Sequence, residues 1–409
     1  MKPASRNASV AFILIVLVLD TLGIGVIVPV LPRLIESFVH GDVALASRRY
    51  GVFIACYAVM QFLFAPVVGG LSDKFGRRVV ILSSLAGAAL DYVLLAFAPT
   101  LGWLFVGRII SGMTGASFSA ATAYIADVTP PEKRAASFGM IGVAFGIGFI
   151  VGPAVGGLLG GVSLRAPFLL AAALNLLNFV YGVFVLPESL PKEKRRAFSW
   201  RRANSFGAIK SLARSPIVLG LTVTIVCGNL AQQILQCTWA LHTESRFGWK
   251  AVEVGLSLVL VGVTTAVVQG GLVKVAVARL GERRAMLVGL FFSVSGYIAL
   301  GLANTGLLLY IVLIPFALGG LVDPSTKALL TREVAANEQG ELQGSLGTLM
   351  SLTQIVGPLI GSSLFARFAP VGSSPHVPGA AFFAAALLNT IGFVFAARQF
   401  ARLRAPREL

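Results

Sequence analysis

The sequence predicts an all-α polytopic membrane protein with twelve transmembrane helices arranged as two parallel halves of six. Two bulk properties predict the membrane location. Of the 409 residues, 56% are hydrophobic and 12% are charged, and the mean hydropathy is +0.85. A water-soluble protein of this size could not keep so apolar a surface in solution, so lipid is the expected solvent. A repeat at a fixed offset of 205 residues predicts the two halves.

Each predicted span is long enough to cross the bilayer as a helix, which takes about 20 mostly apolar residues. Glycine and proline recur inside these stretches, as lipid-embedded helices tolerate. The spans are residues 10–31, 50–71, 79–98, 101–124, 136–160, 167–186, 216–240, 252–274, 284–303, 306–330, 342–366 and 378–398.

Basic residues alternate between crowded and sparse loops along these spans. The loops rich in Lys and Arg include 74–78, 192–214 and 274–284. The loops on the opposite side contain few basic residues, such as Arg165 and Arg246. Cytoplasmic loops carry the excess of Lys and Arg, so both termini are predicted to be cytoplasmic. The net charge of +16 is then a topology signal, with some contact to anionic lipid. Nucleic-acid binding is not expected, because the chain has no basic, aromatic-rich soluble module.

The longest polar stretch, about residues 187–215, separates six spans from six. It has too few apolar residues to fold alone and is predicted to be a cytoplasmic linker. The predicted organisation is therefore a first half 1–187, a linker 188–215 and a second half 216–409.

The two halves share residues at a constant offset. Gly152-Pro153 recurs 205 residues later as Gly357-Pro358, and Gly76 maps onto Gly281. Parallel six-helix repeats of this kind are known in secondary transporters, where the substrate site lies at the repeat interface near mid-membrane.

A compact charged run, Gly69-Gly70-Leu71-Ser72-Asp73-Lys74-Phe75-Gly76-Arg77-Arg78, lies between the second and third spans. Its glycines allow close helix approach and a tight turn, and Asp73 can accept hydrogen bonds from an arginine or a helix N-terminus. The run resembles the signature loop of the major facilitator superfamily. It predicts a latch that opens with the cytoplasmic side, and the alternative is a basic turn that only sets topology. The predicted gating residues are Gly70, Asp73, Gly76, Arg77 and Arg78.

The corresponding turn of the second half is different. At the offset of 205, Asp73 maps onto Ala278 and Arg77 maps onto Glu282, so the leading acid is missing. The latch is therefore expected to be asymmetric and held mainly by Asp73.

The fourth span and the loop after it carry charges that need partners. Arg108 lies inside the span, where a charge is costly unless it faces a partner or a wet cavity. The run Gly107-Arg108-Ile109-Ile110-Ser111-Gly112 resembles the second motif of the same superfamily, in which the arginine is associated with proton transfer. Asp20 and Asp91 are candidate partners, and a structural ion pair is the alternative. Asp127 and Arg134 predict an inner-face charge network or, alternatively, a solvated loop.

The fifth span contains a glycine series with a proline. Small residues let helices approach closely, and a proline removes one hydrogen bond from the helix ladder. The ending Gly-Pro-x-x-Gly-Gly resembles the antiporter motif of drug–proton exchangers within the superfamily. The motif residues are Gly148, Gly152, Pro153, Gly156 and Gly157.

A closer resemblance covers nearly the whole chain except the linker and the last span. Leu19-Asp20-Thr21-Leu22-Gly23-Ile24-Gly25, Gly87-Ala88-Ala89-Leu90-Asp91-Tyr92 and Leu280-Gly281-Glu282-Arg283-Arg284-Ala285 are similar to bacterial tetracycline–proton antiporters. The resemblance implies a multi-pass protein of the bacterial inner membrane that exports amphipathic drugs by alternating access. The proton gradient would drive it, no cofactor is implied, and a monomer is expected.

The resemblance also implies roles for particular residues. Asp20 and Asp91 would be membrane-embedded carboxylates needed for transport, and Gln61 would help form the drug pathway. The cytoplasmic gate would consist of Asp73, Arg77, Asp127 and Arg134.

Several positions depart from the pattern of that family. Ser293 stands where the family has an acid in the ninth span, and Thr265 stands where it has a histidine in the eighth. Neither side chain titrates near neutral pH. Asp323 and Lys327 lie four residues apart on one helix face of the tenth span, where the family is uncharged. Proton stoichiometry and substrate are therefore expected to differ.

The seventh span carries a polar cluster that lipid would reject. The residues predicted to contact substrate are Gln61, Gln232, Gln233, Gln236, Asp323 and Lys327. For the glutamines of the seventh span, hydrogen bonding between helices is the alternative. Asp323 and Lys327 favour a second function, in which the same fold exports another small solute such as a metabolite or siderophore.

An enzyme or a non-transporting receptor is not favoured. The sequence has no Ser-His-Asp order, metal-ligand cluster or phosphate loop, and the lack of a phosphate loop also argues against direct ATP drive. The cysteines are predicted to be small packing residues, because all of them fall in apolar segments. They are Cys56, Cys227 and Cys237.

Overall fold

The computed structural model describes residues 6–115, 117–130, 134–195, 215–334 and 338–402 of the chain. These ranges contain fifteen α-helices and no β-strand, in agreement with the predicted all-α class. The helices are α1 (Arg6–Ile27), α2 (Leu31–Ser37), α3 (Val43–Phe75), α4 (Arg77–Phe97), α5 (Leu101–Thr114), α6 (Ser117–Val128), α7 (Arg134–Val162), α8 (Ala166–Val185), α9 (Pro216–Phe247), α10 (Ala251–Val267), α11 (Val273–Leu302), α12 (Gly306–Phe316), α13 (Val322–Glu333), α14 (Gln339–Phe368) and α15 (Ala380–Arg402).

Among the described residues, nine helical stretches are long and apolar enough to cross a membrane, and a tenth is formed if the bent pair α1 and α2 is one span. One of the nine, Ala251–Leu302, is 52 residues long. It contains two spans, because Gly281 leaves the helical conformation with φ 73° and ψ 161°. The short apolar helix α5 is followed by α6, which completes another span. Each of the twelve predicted spans thus has a helical counterpart.

Four spans predicted to be continuous α-helices are interrupted. The first bends by 45° between α1 and α2, where Pro29 and Pro32 cannot donate a backbone hydrogen bond. The fourth ends at Thr114, because Gly115 leaves the helical conformation, and it resumes at Ser117. In the eighth, a π-helix at Val268–Leu272 separates α10 from α11, and in the tenth, a 3-10 helix at Ala317–Leu321 separates α12 from α13. The predictions of unbroken α-helices over 10–31, 101–124, 252–274 and 306–330 are corrected at these points.

Large apolar side chains are exposed along the helices, as a lipid environment requires. Phe184, Leu302 and Leu307 expose 74%, 65% and 72% of their surface. A soluble monomer seldom presents extended apolar patches to water, so these faces fit the predicted contact with lipid.

The chain divides into two compact units. The first comprises Met1–Gly41, Cys56–Asn204 and Lys250–Val259. Within it α1 packs against α7 and α8, and α4 packs against α5 and α8. Its core includes the fully enclosed side chains of Ile81 and Tyr124.

The second unit comprises Asp42–Ala55, Ser205–Trp249 and Leu260–Leu409. Within it α9 packs against α14 and α15, and α11 packs against α13 and α15. Leu221, Leu290 and Leu330 are fully buried in its core. The boundaries predicted from sequence, 1–187, 188–215 and 216–409, stay a prediction, and residues 196–214 of the linker lie outside the described residues.

Candidate functional site

Two charged side chains predicted from sequence lie close to each other inside the first unit. Asp91 of α4 is completely buried, and Arg108 of α5 is 8% exposed. Arg108 is the charged neighbour of Asp91, and Ser111 lies on the same side of α5. A Cβ atom at Gly107 would come within 2.6 Å of Asp91 Oδ1, so the glycine leaves room for the carboxylate.

Two tyrosines complete this cluster. Tyr57 of α3 and Tyr92 of α4 both lie within electrostatic range of Asp20, Asp91 and Arg108. The guanidinium carbon of Arg108 lies 5.5 Å from the centre of the Tyr57 ring, which is the geometry of a cation–π contact. A charged arginine inside a membrane bundle thus has acidic and aromatic neighbours, which lower the cost of its burial.

Gln61 lies one helical turn beyond Tyr57 on α3. Its Nε2 donates hydrogen bonds to Tyr57 Oη at 3.4 Å and to the Gly115 carbonyl at 3.2 Å. Gln61, the predicted drug-pathway residue, is therefore connected to Arg108 through the side chain of Tyr57. Sequence reasoning selected Gln61 but missed Tyr57. A tyrosine four residues before a polar residue in a membrane helix was the available signal.

The first basic turn is held by ion pairs around Arg77. Arg77 Nη1 lies 2.7 Å from Asp73 Oδ1, and Arg77 Nε lies 3.2 Å from Asp127 Oδ2. Ser72 accepts a further hydrogen bond from Arg77 at 3.1 Å. The structure therefore brings together three of the predicted gating residues, whose gating role stays a prediction. The side chain of Arg134 lies outside the described residues.

Glu188, which sequence reasoning missed, caps the start of α4. Its carboxylate accepts hydrogen bonds from the backbone N–H groups of Arg77 at 2.8 Å and Arg78 at 3.3 Å, and it lies 3.7 Å from Arg195. Negative charge is favourable at a helix N-terminus, where backbone donors lack partners. Gly76, with φ 105°, leaves space for this carboxylate. An acid directly after the sixth span, within a basic stretch, was the available signal.

The second basic turn has an ion pair of its own, with inverted charges. Arg332 lies 2.5 Å from Glu282 and makes a second hydrogen bond to the same carboxylate at 3.3 Å. The offset of 205 maps Arg77 onto Glu282 and Asp127 onto Arg332, so the two pairs occupy equivalent positions. The expectation that the latch is held mainly by Asp73 overlooked this pair.

The glycine motif of α7 allows close contact with α1. Cβ atoms at Gly148, Gly152 and Gly156 would collide with the backbone or side chains of Thr21 to Val26. Gly157 faces the neighbouring helix α10, at Ala251 and Gly255. These glycines therefore permit backbone-to-backbone packing on two faces of one helix.

The proline that follows Gly152 has an equivalent in the second unit. A Cβ atom at Gly255 of α10 would lie 2.5 Å from the Pro153 carbonyl oxygen. A Cβ atom at Gly51 of α3 would lie 2.8 Å from the carbonyl oxygen of Pro358, the repeat of Pro153. Each proline carbonyl thus packs against a glycine of a neighbouring helix.

The predicted substrate residues of the second unit lie on α9 and α13. Gln232 and Gln236 are exposed on one face of α9, whereas Gln233 packs against Gly357. On α13, Lys327 Nζ lies 2.8 Å from Asp323 Oδ2, so the predicted pairing is present. Their substrate-binding role stays a prediction.

Two of the positions that depart from the tetracycline family, Ser293 and Thr265, lie on α11 and α10. Ser293 of α11 is 8% exposed and packs against Gly319, one helical turn before Asp323. Thr265 is half-buried on α10. Asp323 lies on α13, which packs against α11.

Known proteins match this chain over most of its length. The sequence profile of the Major Facilitator Superfamily matches residues 13–277 and 241–408. The class C tetracycline resistance protein of Escherichia coli is 44% identical over 365 residues, which cover 89% of this chain and 91% of that protein. The class B protein of Escherichia coli is 36% identical over 392 residues, which cover 95% and 96%.

Solved structures match the fold. A bacterial homologue of the human lysosomal transporter Spinster, in an inward-facing and occupied conformation, has a TM-score of 0.76 at 16% identity, with full coverage of both chains.

The repeated helices and the buried charges define a multi-pass membrane transporter of small molecules. The chain belongs to the Major Facilitator Superfamily. Its predicted resemblance to tetracycline efflux proteins is confirmed by the two relatives from Escherichia coli. The members of this family are transporters rather than enzymes.

Proposed function

We propose that this chain exports amphipathic drugs of the tetracycline class from bacteria in exchange for protons. Identities of 44% and 36% to tetracycline resistance proteins support the substrate class. The proposed location is the inner membrane, with both termini in the cytoplasm. The proposed unit is a monomer that uses the proton gradient and no cofactor.

The burial of Asp91 close to the charge of Arg108 is the observation that carries this proposal. With Asp91 ionised, its charge offsets that of Arg108; with Asp91 protonated, Arg108 must rely on Asp20 and on aromatic contacts. Electrostatic energies are large where water is excluded, so one proton changes the energy of this cluster substantially. A proton can therefore shift the balance between conformations open to opposite sides.

Amide substitution of the acids tests the proposal. Asp20→Asn and Asp91→Asn keep side-chain size but cannot bind and release a proton. We expect both variants to reach the membrane at normal levels and to lose proton-driven tetracycline export from an efflux-deficient host. Full export by Asp20→Asn would exclude Asp20 as a coupling residue.

The ion pair of Asp323 and Lys327 supports a second candidate function. Both side chains are largely exposed, at 54% and 41%, and their opposite charges suit a charged or zwitterionic solute. A metabolite or siderophore would then be the exported substrate. A panel of drugs and solutes in the efflux-deficient host distinguishes the two functions, because only the first confers tetracycline resistance.

A further inference from the structure

We propose that Tyr57 is a positioning residue that couples drug occupancy at Gln61 to the protonation of the Asp20, Asp91 and Arg108 cluster. This inference rests on the proposed function of proton-driven drug export. It adds a residue to which neither the sequence motifs nor the family resemblance gives a role.

Tyr57 contacts both parts of the site at once. The hydroxyl group of Tyr57 accepts the hydrogen bond from Gln61 Nε2. The aromatic ring of Tyr57 makes the cation–π contact with the guanidinium of Arg108. Gln61 and Arg108 are on different helices, α3 and α5. A movement of the Gln61 side chain can therefore displace Arg108, and the reverse, because both contact the rigid ring of Tyr57.

Close helix packing restricts how far Tyr57 can move. A Cβ atom at Gly112 would lie 2.7 Å from the Tyr57 carbonyl oxygen, and one at Gly115 would lie 3.0 Å from Tyr57 Oη. Gly115 also accepts the second hydrogen bond of Gln61. The Tyr57 ring therefore lies in a narrow space beside α5, between Arg108 and Gly115. Because the packing is close, a small shift of the ring also displaces the side chains that it contacts.

The charges that face Tyr57 come from three helices. They are Asp20 on α1, Asp91 on α4 and Arg108 on α5. When Asp20 and Asp91 are ionised, they attract Arg108 and weaken its cation–π contact with the Tyr57 ring. When one of these acids is protonated, that contact contributes more to the stabilisation of the Arg108 charge. A drug that binds the Gln61 amide competes with its hydrogen bond to Tyr57 Oη, and it thereby alters the position of the Tyr57 ring. Linkage requires the effect to be reciprocal, so the drug also changes proton affinity.

Tyr57→Phe is the decisive variant, because it keeps the ring beside Arg108 and removes only the hydroxyl group. The matched control is Tyr181→Phe, which removes a hydroxyl group from a tyrosine of the same unit that packs on Phe12. Tetracycline affinity is measured at acidic and alkaline pH with the purified full-length protein in liposomes. Tetracycline-driven proton movement is recorded on the same samples.

We expect the affinity of the unmodified protein to change by about fivefold or more between the two pH values, as is typical of coupled sites. Tyr57→Phe should still bind tetracycline but lose most of this pH dependence, whereas Tyr181→Phe should keep it. A purely structural role for Tyr57 would weaken binding equally at both pH values, and that result would overturn the inference. So would an unchanged pH dependence in Tyr57→Phe.

Two further measurements distinguish a failed variant from a failed proposal. If Tyr57→Phe does not reach the membrane, Gln61→Leu removes the donor of the same hydrogen bond, and persistence of the pH dependence in that variant overturns the inference. If the unmodified protein shows no tetracycline-driven proton movement, the proposed function itself fails. That failure is separate, because it does not depend on any variant.

Discussion

Charge reversal at Arg77 tests whether ion pairs hold the first basic turn. The Arg77 side chain is 12% exposed, and its partners Asp73 and Asp127 are 46% and 25% exposed. An exposed ion pair contributes up to about 1 kcal/mol, whereas breaking a buried one costs about 3–5 kcal/mol. These pairs are intermediate in burial, so we expect Arg77→Glu to destabilise the protein by about 2 kcal/mol.

The second basic turn provides the design of a rescue. Ala278, Glu282 and Arg332 stand 205 residues after Asp73, Arg77 and Asp127. The triple variant Asp73→Ala, Arg77→Glu, Asp127→Arg copies that arrangement into the first turn. Because opposite charges again face each other, we expect it to recover at least half of the stability that Arg77→Glu loses.

The assay is thermal unfolding of the detergent-purified protein at one fixed heating rate, since membrane proteins often unfold irreversibly. Arg332→Glu is the matched control in the second turn. The Arg332 side chain is 67% exposed, so its reversal should cost less than about 1 kcal/mol. A triple variant as unstable as Arg77→Glu would show that ion pairs do not hold the first basic turn, and so would an Arg332→Glu variant that is less stable than Arg77→Glu.

Three other changes have defined expected outcomes. Glu188→Gln should lower the unfolding temperature by an amount equivalent to about 1 kcal/mol, because a neutral amide caps the α4 donors less well than a carboxylate; no change in unfolding would contradict the capping role. Gly156→Val should destabilise by about 1–3 kcal/mol or more through collision with α1, while Gly142→Val, with open space around it, should not; equal effects would show that α7 packing is not the cause. Asp323→Asn, which breaks the pair with Lys327, should alter the range of exported solutes while tetracycline export persists; an unchanged profile across a solute panel would remove the pair from the substrate site.

The membrane spans and the basic turns were predictable because their signals are local. A span is a continuous apolar stretch of sufficient length, and a turn with Gly76 or Gly281 is a short charged run between two such stretches. The helix breaks were harder to predict. Gly115 does not differ from the many glycines that continue inside helices, and only its contacts with Tyr57 and Gln61 distinguish it.

The contacts of the site were less predictable because they join distant parts of the sequence. Glu188 meets Arg77 across 111 residues, and no periodic pattern reports such a pairing. The pair of Glu282 and Arg332 could have been found, since the repeat maps Asp127 onto Arg332. A comparison of charge sign at every repeated position would have found it.

In the proposed mechanism, drug export is coupled to protons through Asp20, Asp91 and Arg108. The most direct test is to add tetracycline to the purified protein in liposomes and to record proton movement across the membrane. We expect proton movement that depends on tetracycline in the unmodified protein and none in Asp91→Asn. Tetracycline transport without proton movement, or equal proton movement in Asp91→Asn, would contradict it.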